Sequence, residues 1–112
     1  MTHHPAVTAV GTLAPAMLAE ANQHPARRAA RTLVSGTAQR ATLIALLEGA
    51  ELNEHDSPIA ATLYVVTGTV RLHTREDAWV LEDGHLAVIP PQRHGLTALT
   101  DAAVLLTVAL HQ

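Results

Sequence analysis

GAELNEHDSPIAATLYVVTG, residues 49 to 68, and GHLAVIPPQRHG, residues 84 to 95, decide how this chain is read. Each opens on a glycine and carries one motif histidine, His55 in the first and His94 in the second. The 38 residues between the two histidines can return one to the other only if a sheet folds back on itself, and a small closed barrel does that. In Thr62 to His73 the alternation places Leu63 and Val65 on one face, with Tyr64 and Val66 on the other. Val70 and Leu72 likewise oppose Arg71 and His73, so the segment reads as a hairpin turning at Thr67-Gly68. Asp83-Gly84 between the apolar runs Trp79–Leu81 and Leu86–Ile89 is a second hairpin signal. Pro58 demands a turn or an edge position, because proline cannot donate to a ladder.

Upstream, ATLIALL (residues 41 to 47) is apolar without alternation, as expected of a strand covered on both faces or lying at a subunit interface. Thr32-Leu33-Val34 before Ser35-Gly36 supplies its hairpin partner, with Gly36 expected to provide a positive φ. ARRAAR (26 to 31) is the one local basic cluster, and it reads as a solvated surface or an edge strand carrying charge rather than an anion-binding patch. LAPAMLAEA (13 to 21) carries Leu13, Met17 and Ala21 at a spacing of four, which predicts two turns of helix ended by Asn22-x-His24-Pro25. Downstream, Leu96–Leu99, a Thr100-Asp101 turn and Val104–Leu110 complete the sheet. Short strands at 8 to 12 residue spacing argue an all-β fold. The expected division is an arm with a short helix over residues 1–25 and a barrel over 26–112.

Composition removes several function classes. The chain has 112 residues, enough for one core and too few for two. It has no cysteine, which excludes disulfides, thiolate metal sites and cysteine nucleophiles, and it suits a reducing cytoplasm, the expected location. A formal charge of −3 offers no basic face for nucleic acid. No apolar run approaches the length of a membrane span, and Pro5, Gly11 and Pro15 interrupt anything like a secretory signal. No Ser-centred nucleophile motif, phosphate loop or dinucleotide fingerprint is present. There is no Phe, so aliphatic side chains must fill the core, with Tyr64 and Trp79 the only aromatic groups that could stack on a ligand.

The two quoted stretches resemble the motifs of the cupin superfamily. The first motif is a Gly, five residues, His-x-His, a short gap, Glu, six residues and Gly. Gly49, His55 and Gly68 match it, whereas Ser57 replaces the second His and Ala61 the Glu. The second is Gly, five residues, Pro-x-Gly, two residues, His, and later Asn. Gly84 and Pro90 match, Gln92 replaces the Gly, His94 comes one residue early and Ala98 stands in the Asn position. The resemblance spans roughly residues 30 to 110 and implies a small antiparallel, jelly-roll-like β-barrel of about eight strands with a short N-terminal helical segment. It also implies a homodimer.

In metal-binding cupins the ligands are the motif histidines and the glutamate, so the resemblance implies a metal site at His55 and His94. Any cofactor would be one divalent ion, zinc, iron, manganese or nickel. Two ligands fall one short of a catalytic zinc or non-haem iron centre. Candidates for the third are Glu51, Glu54, Asp56, His73 and His85, none at a family position. His73 should share the solvent face with Arg71, and His85 should be an exposed turn residue. His94 with Glu51 or Glu54 as its orienting carboxylate is the one acid-base pairing available, and no catalytic residue is assigned. The expected ligand pocket is His55, Leu63, Val65, Val88 and His94, suited to a small, partly apolar molecule with one polar or anionic group. These absences favour a non-catalytic module that binds or senses a small molecule or a metal. The alternative is a metal-dependent enzyme of the oxygenase or isomerase type using His55 and His94. A barrel filled by its own side chains would instead indicate a structural or protein-interaction module.

Overall fold

The computed structural model describes residues 4–55 and 60–110, with backbone only at 54 and 55. Asp56, Ser57 and Pro58 lie outside the described residues. One helix, α1 (Val10–Ala21), precedes nine strands: β1 (Arg28–Ser35), β2 (Gln39–Leu46), β3 (Glu51–His55), β4 (Ala61–Thr67), β5 (Val70–Thr74), β6 (Ala78–Leu81), β7 (Leu86–Val88), β8 (His94–Ala98) and β9 (Ala102–Ala109). They form two sheets, ordered β1-β2-β9-β4-β7 and β3-β8-β5-β6, with antiparallel pairing throughout. The expected all-β architecture of about eight strands with an N-terminal helix is therefore observed, with nine strands.

Two of the expected hairpins are crossings between sheets. β4 pairs with β9 and β7, while β5 pairs with β8 and β6, so Thr67-Gly68 carries the chain from one sheet to the other. Asp83-Gly84 does the same between β6 and β7. Gly68 and Gly84 both have the positive φ that their turns call for, but a turn does not specify which sheet receives the next strand. The two crossings are tied together: Gly68 N–H donates to the Asp83 carboxylate at 2.7 Å, and Gly84 N–H donates to the Val65 carbonyl at 2.8 Å. True hairpins join β1 to β2 and β5 to β6. In the first, Gly36 is not in the positive-φ region expected of it; the turn closes through Gly36 N–H to the Gln39 carbonyl.

The unalternating run in β2 now has its cause. Ile44 and Leu46 enter the core between the two sheets with Leu63, Val65, Val70 and Leu72. Leu43, Ala45 and Leu47 face outward, where Ala14, Met17 and Ala21 of α1 cover them. At about 1.5–3 kcal/mol for each large aliphatic side chain removed from water, this second layer is a substantial part of the fold's stability. The helix starts at Val10, one turn earlier than the spacing of Leu13 predicts, because Thr12 and Leu13 N–H both reach the Ala9 carbonyl. Pro15 lies inside it, exposed, where it forfeits one backbone bond. No helix among the described residues is long and apolar enough to cross a membrane.

Candidate functional site

The site is built from the aliphatic interior outward. β8 alternates with its even-numbered residues toward the core, so His94 enters the same space as Leu96 and Ala98. His94 is 4% exposed and is the one buried polar residue among those described. Its Nδ1 lies 3.0 Å from the Gln92 carbonyl. A carbonyl only accepts, so this contact places a proton on Nδ1, and in the neutral ring the lone pair is on Nε2. The cavity that His94 lines, with Leu52, Leu63, Leu72, Ile89 and Leu96, is about 20 Å³, roughly the room one water needs.

Of the expected pocket residues, Leu63 lines this cavity and Val65 is fully buried in the same core. Val88 does not enter it. It is 80% exposed, because register pairs it with outward Thr62, whereas Ala87 pairs with inward Leu63. Ile89 takes the interior position that Val88 was expected to hold, and the alternation Ala87, Ile89 was the signal for it. Ile44, Leu52, Leu72, Leu96 and Leu106 also line the cavity, and as aliphatic residues they carry no signal in the sequence that separates lining from core. Tyr64 projects outward beside Leu86, and Trp79 sits on edge strand β6 opposite Leu72, half exposed.

His55 is brought to His94 by register. β3 pairs with β8 as Glu51 to Thr97 and Leu52 to Leu96, then shifts so that His55 stands opposite His94. One residue on β8, Gly95, thus faces two on β3, Asn53 and Glu54, which is a β-bulge. Of the other candidate ligands, Asp56 and the Glu54 side chain lie outside what the structure describes, and Glu51, His73 and His85 are not brought to His94. Glu51 is exposed and opposite Thr97, out of phase with His94, so it cannot orient that imidazole. His73 lies on the outer face with Arg71, as expected, though half-buried. His85 is an exposed turn residue whose Nδ1 accepts from Glu82 N–H at 3.0 Å. Among the described residues no three His, Asp or Glu groups cluster. Ala61, in the glutamate position of the first motif, is buried in β4. The described donor set therefore does not fit a three-ligand metal centre.

The basic cluster is engaged by its own chain. Arg28 donates to the Glu51 carbonyl, Arg27 to the Glu48 carbonyl at 3.4 Å, and Arg31 faces the Glu20 carboxylate at 3.5 Å. β1 is indeed an edge strand, and exposed pairs of this kind contribute at most about 1 kcal/mol each.

No protein-family model matches the chain, and no curated protein matches it by sequence. Solved structures do. A conserved protein of unknown function from Streptococcus pyogenes superposes with a TM-score of 0.71 at 24% identity, over 80% of this chain and 79% of that one. An RmlC-like cupin from Shewanella frigidimarina gives 0.68 at 23% identity, over 76% and 78%. An HTH_3 family transcriptional regulator from Vibrio cholerae gives 0.65 at 22% identity, over 76% of this chain and 52% of its own length. At these identities the likeness is one of fold.

Proposed function

For a chain that has the cupin fold, we propose a non-catalytic module that binds or senses a small molecule at the end of the barrel where β3 and β8 meet. The observation that carries this reading is His94, a single polar side chain buried among aliphatic ones. Its Nδ1 is hydrogen-bonded to the Gln92 carbonyl, and a precisely held polar group in an apolar wall is what orients a ligand in a pocket. Its register partner His55 supplies a second imidazole-bearing position, since directly opposed residues of an antiparallel ladder share a sheet face. At about 20 Å³ the cavity beside His94 has room for one water, so the ligand, a small, partly apolar molecule with one polar or anionic group, has to part the aliphatic side chains around it; a barrel that stays closed would instead make the chain a structural or protein-interaction module. Support for sensing over catalysis comes from the lack of a three-group His, Asp or Glu cluster among the described residues and from the backbone carbonyl of Gln92 beside His94 Nδ1. The Vibrio cholerae regulator carries the same fold over about half of its length. A cytoplasmic homodimer belongs to this reading, and sedimentation equilibrium tests the dimer.

The test uses protein lacking residues 1 to 4, so that His3 and His4 cannot hold adventitious metal. Hexanoate is titrated while the methyl resonances of Leu63, Leu72 and Leu96, which line the same cavity, are followed by NMR, and metal content is measured by elemental analysis. Saturable shifts that vanish in His94→Ala, with no stoichiometric metal, are expected. One zinc, iron, manganese or nickel per chain that is lost in both His55→Ala and His94→Ala would overturn the reading in favour of a metal enzyme.

A further inference from the structure

One row of the sheet that carries His94 is built around a missing side chain. On one side of Gly95 the β3 bulge presents Asn53 and Glu54. On the other side, β5 pairs His73 directly with Gly95. A Cβ placed on Gly95 would lie 2.7 Å from His73 Cε1 and 2.8 Å from its Nε2, and 3.1 Å from the Leu52 carbonyl oxygen. The imidazole therefore occupies the volume that a β8 side chain would take, on the strand that lies between β5 and the β3 bulge.

We propose that His73 and Gly95 are a positioning pair: the ring laid over the glycine holds the β3 bulge, and the bulge sets His55 opposite His94. The parity of strands makes this consequential. A ladder continued from Leu52 and Leu96 without the extra residue would put Glu54 opposite His94 and turn His55 to the other phase. A bulge is an irregularity that its surroundings must maintain, and an aromatic ring packed over a cross-strand glycine is a recognised way of pinning register. The absence of a side chain at Gly95 gives the ring its seat, because even alanine would meet it well inside van der Waals contact and swing it away. His73 was expected to be a solvated residue; its half-burial on the outer face is what this role needs. The pair acts through the backbone and is not asked to touch ligand. Its value for binding rests on the reading above, but the register effect does not.

Cross-strand backbone NOEs in uniformly labelled protein read the register directly. In the wild type a contact between His55 and His94 is expected alongside those of Glu51 with Thr97 and Leu52 with Leu96. His73→Ala should lose the His55 contact and keep the other two, whereas His73→Phe, which retains a ring over Gly95, should keep all three. Gly95→Ala, which drives the ring off its seat, should also lose the His55 contact, and it provides a second route should His73→Ala fold poorly. Survival of the His55–His94 contact in His73→Ala or Gly95→Ala, or its loss in His73→Phe, overturns the proposal. If the register responds as expected but hexanoate leaves the wild type unchanged, the binding reading fails and the positioning pair stands.

Discussion

At the scale of single residues, the glycines of this chain divide into those that need only a backbone conformation and those that need space. Gly49 has φ +85°, with nothing near the place a Cβ would take. Gly68 has φ +93°, and a Cβ there would fall 2.3 Å from the Asp101 carbonyl oxygen and 2.7 Å from Ala102 Cα. The first position asks only for the left-handed region, where an L-residue pays about 1–2 kcal/mol. The second adds a collision with backbone at the sheet crossing. Gly49→Ala should lower stability in urea by about 1–2 kcal/mol. Gly68→Ala should exceed about 4 kcal/mol or prevent folding, a loss of the size reserved for strain and overpacking at a special backbone position. Equal effects of the two changes would show that the close approach at Gly68 is relieved elsewhere. Both glycines were visible in the sequence as turn residues; the collision became visible only when β8 and β9 were placed beside the crossing.

The element that repays testing is α1. Its cap lacks any side-chain hydrogen bond, its first turn carries no acidic residue and Pro15 interrupts its ladder, so little of its stability is intrinsic. What holds it is the face formed by Ala14, Met17 and Ala21 on the outer surface of the five-stranded sheet. Met17→Ala should therefore cost about 2–5 kcal/mol in thermal or urea unfolding, as a core truncation does. Pro15→Ala, at an exposed position, should stabilise by about 1–3 kcal/mol by restoring a backbone bond and removing the steric conflict. A neutral Met17→Ala would mean that the helix is an appendage to the barrel.

For the whole molecule, the two sheets enclose one core and the helix closes a second layer over β2 and β9. Removal of residues 1 to 24 would expose Leu43, Ala45, Leu47 and Ala103 in one contiguous apolar face. Larger exposed patches of this kind drive association. The truncated chain should run as soluble oligomers or aggregate on size exclusion with light scattering, at concentrations where the full chain stays monodisperse. A monodisperse truncated chain of unchanged stability would overturn this two-layer account. Exposed Tyr64, Leu86 and Val88 lie on β4 and β7, at the opposite end of the same sheet from β1.

The sequence by itself determined most of the strand segments, where glycine turns fall, that β2 is apolar on both faces, covered by its own chain or by a subunit, and that the basic cluster of β1 is a charged surface or edge, because each follows from local periodicity and residue chemistry. It also identified His55 and His94 as the pair worth following, through spacing that resembles the cupin motifs. Tertiary structure decided three things. It sent β5 and β7 into the opposite sheet from their predecessors, because a turn constrains backbone angles and not the partner of the next strand. It moved the interior position from Val88 to Ile89, because phase is set by the strand across the ladder. It placed His55 opposite His94 through a bulge at Asn53 and Glu54, because a one-residue register shift depends on the neighbouring row, Gly95 and His73, and has no signature within β3 alone.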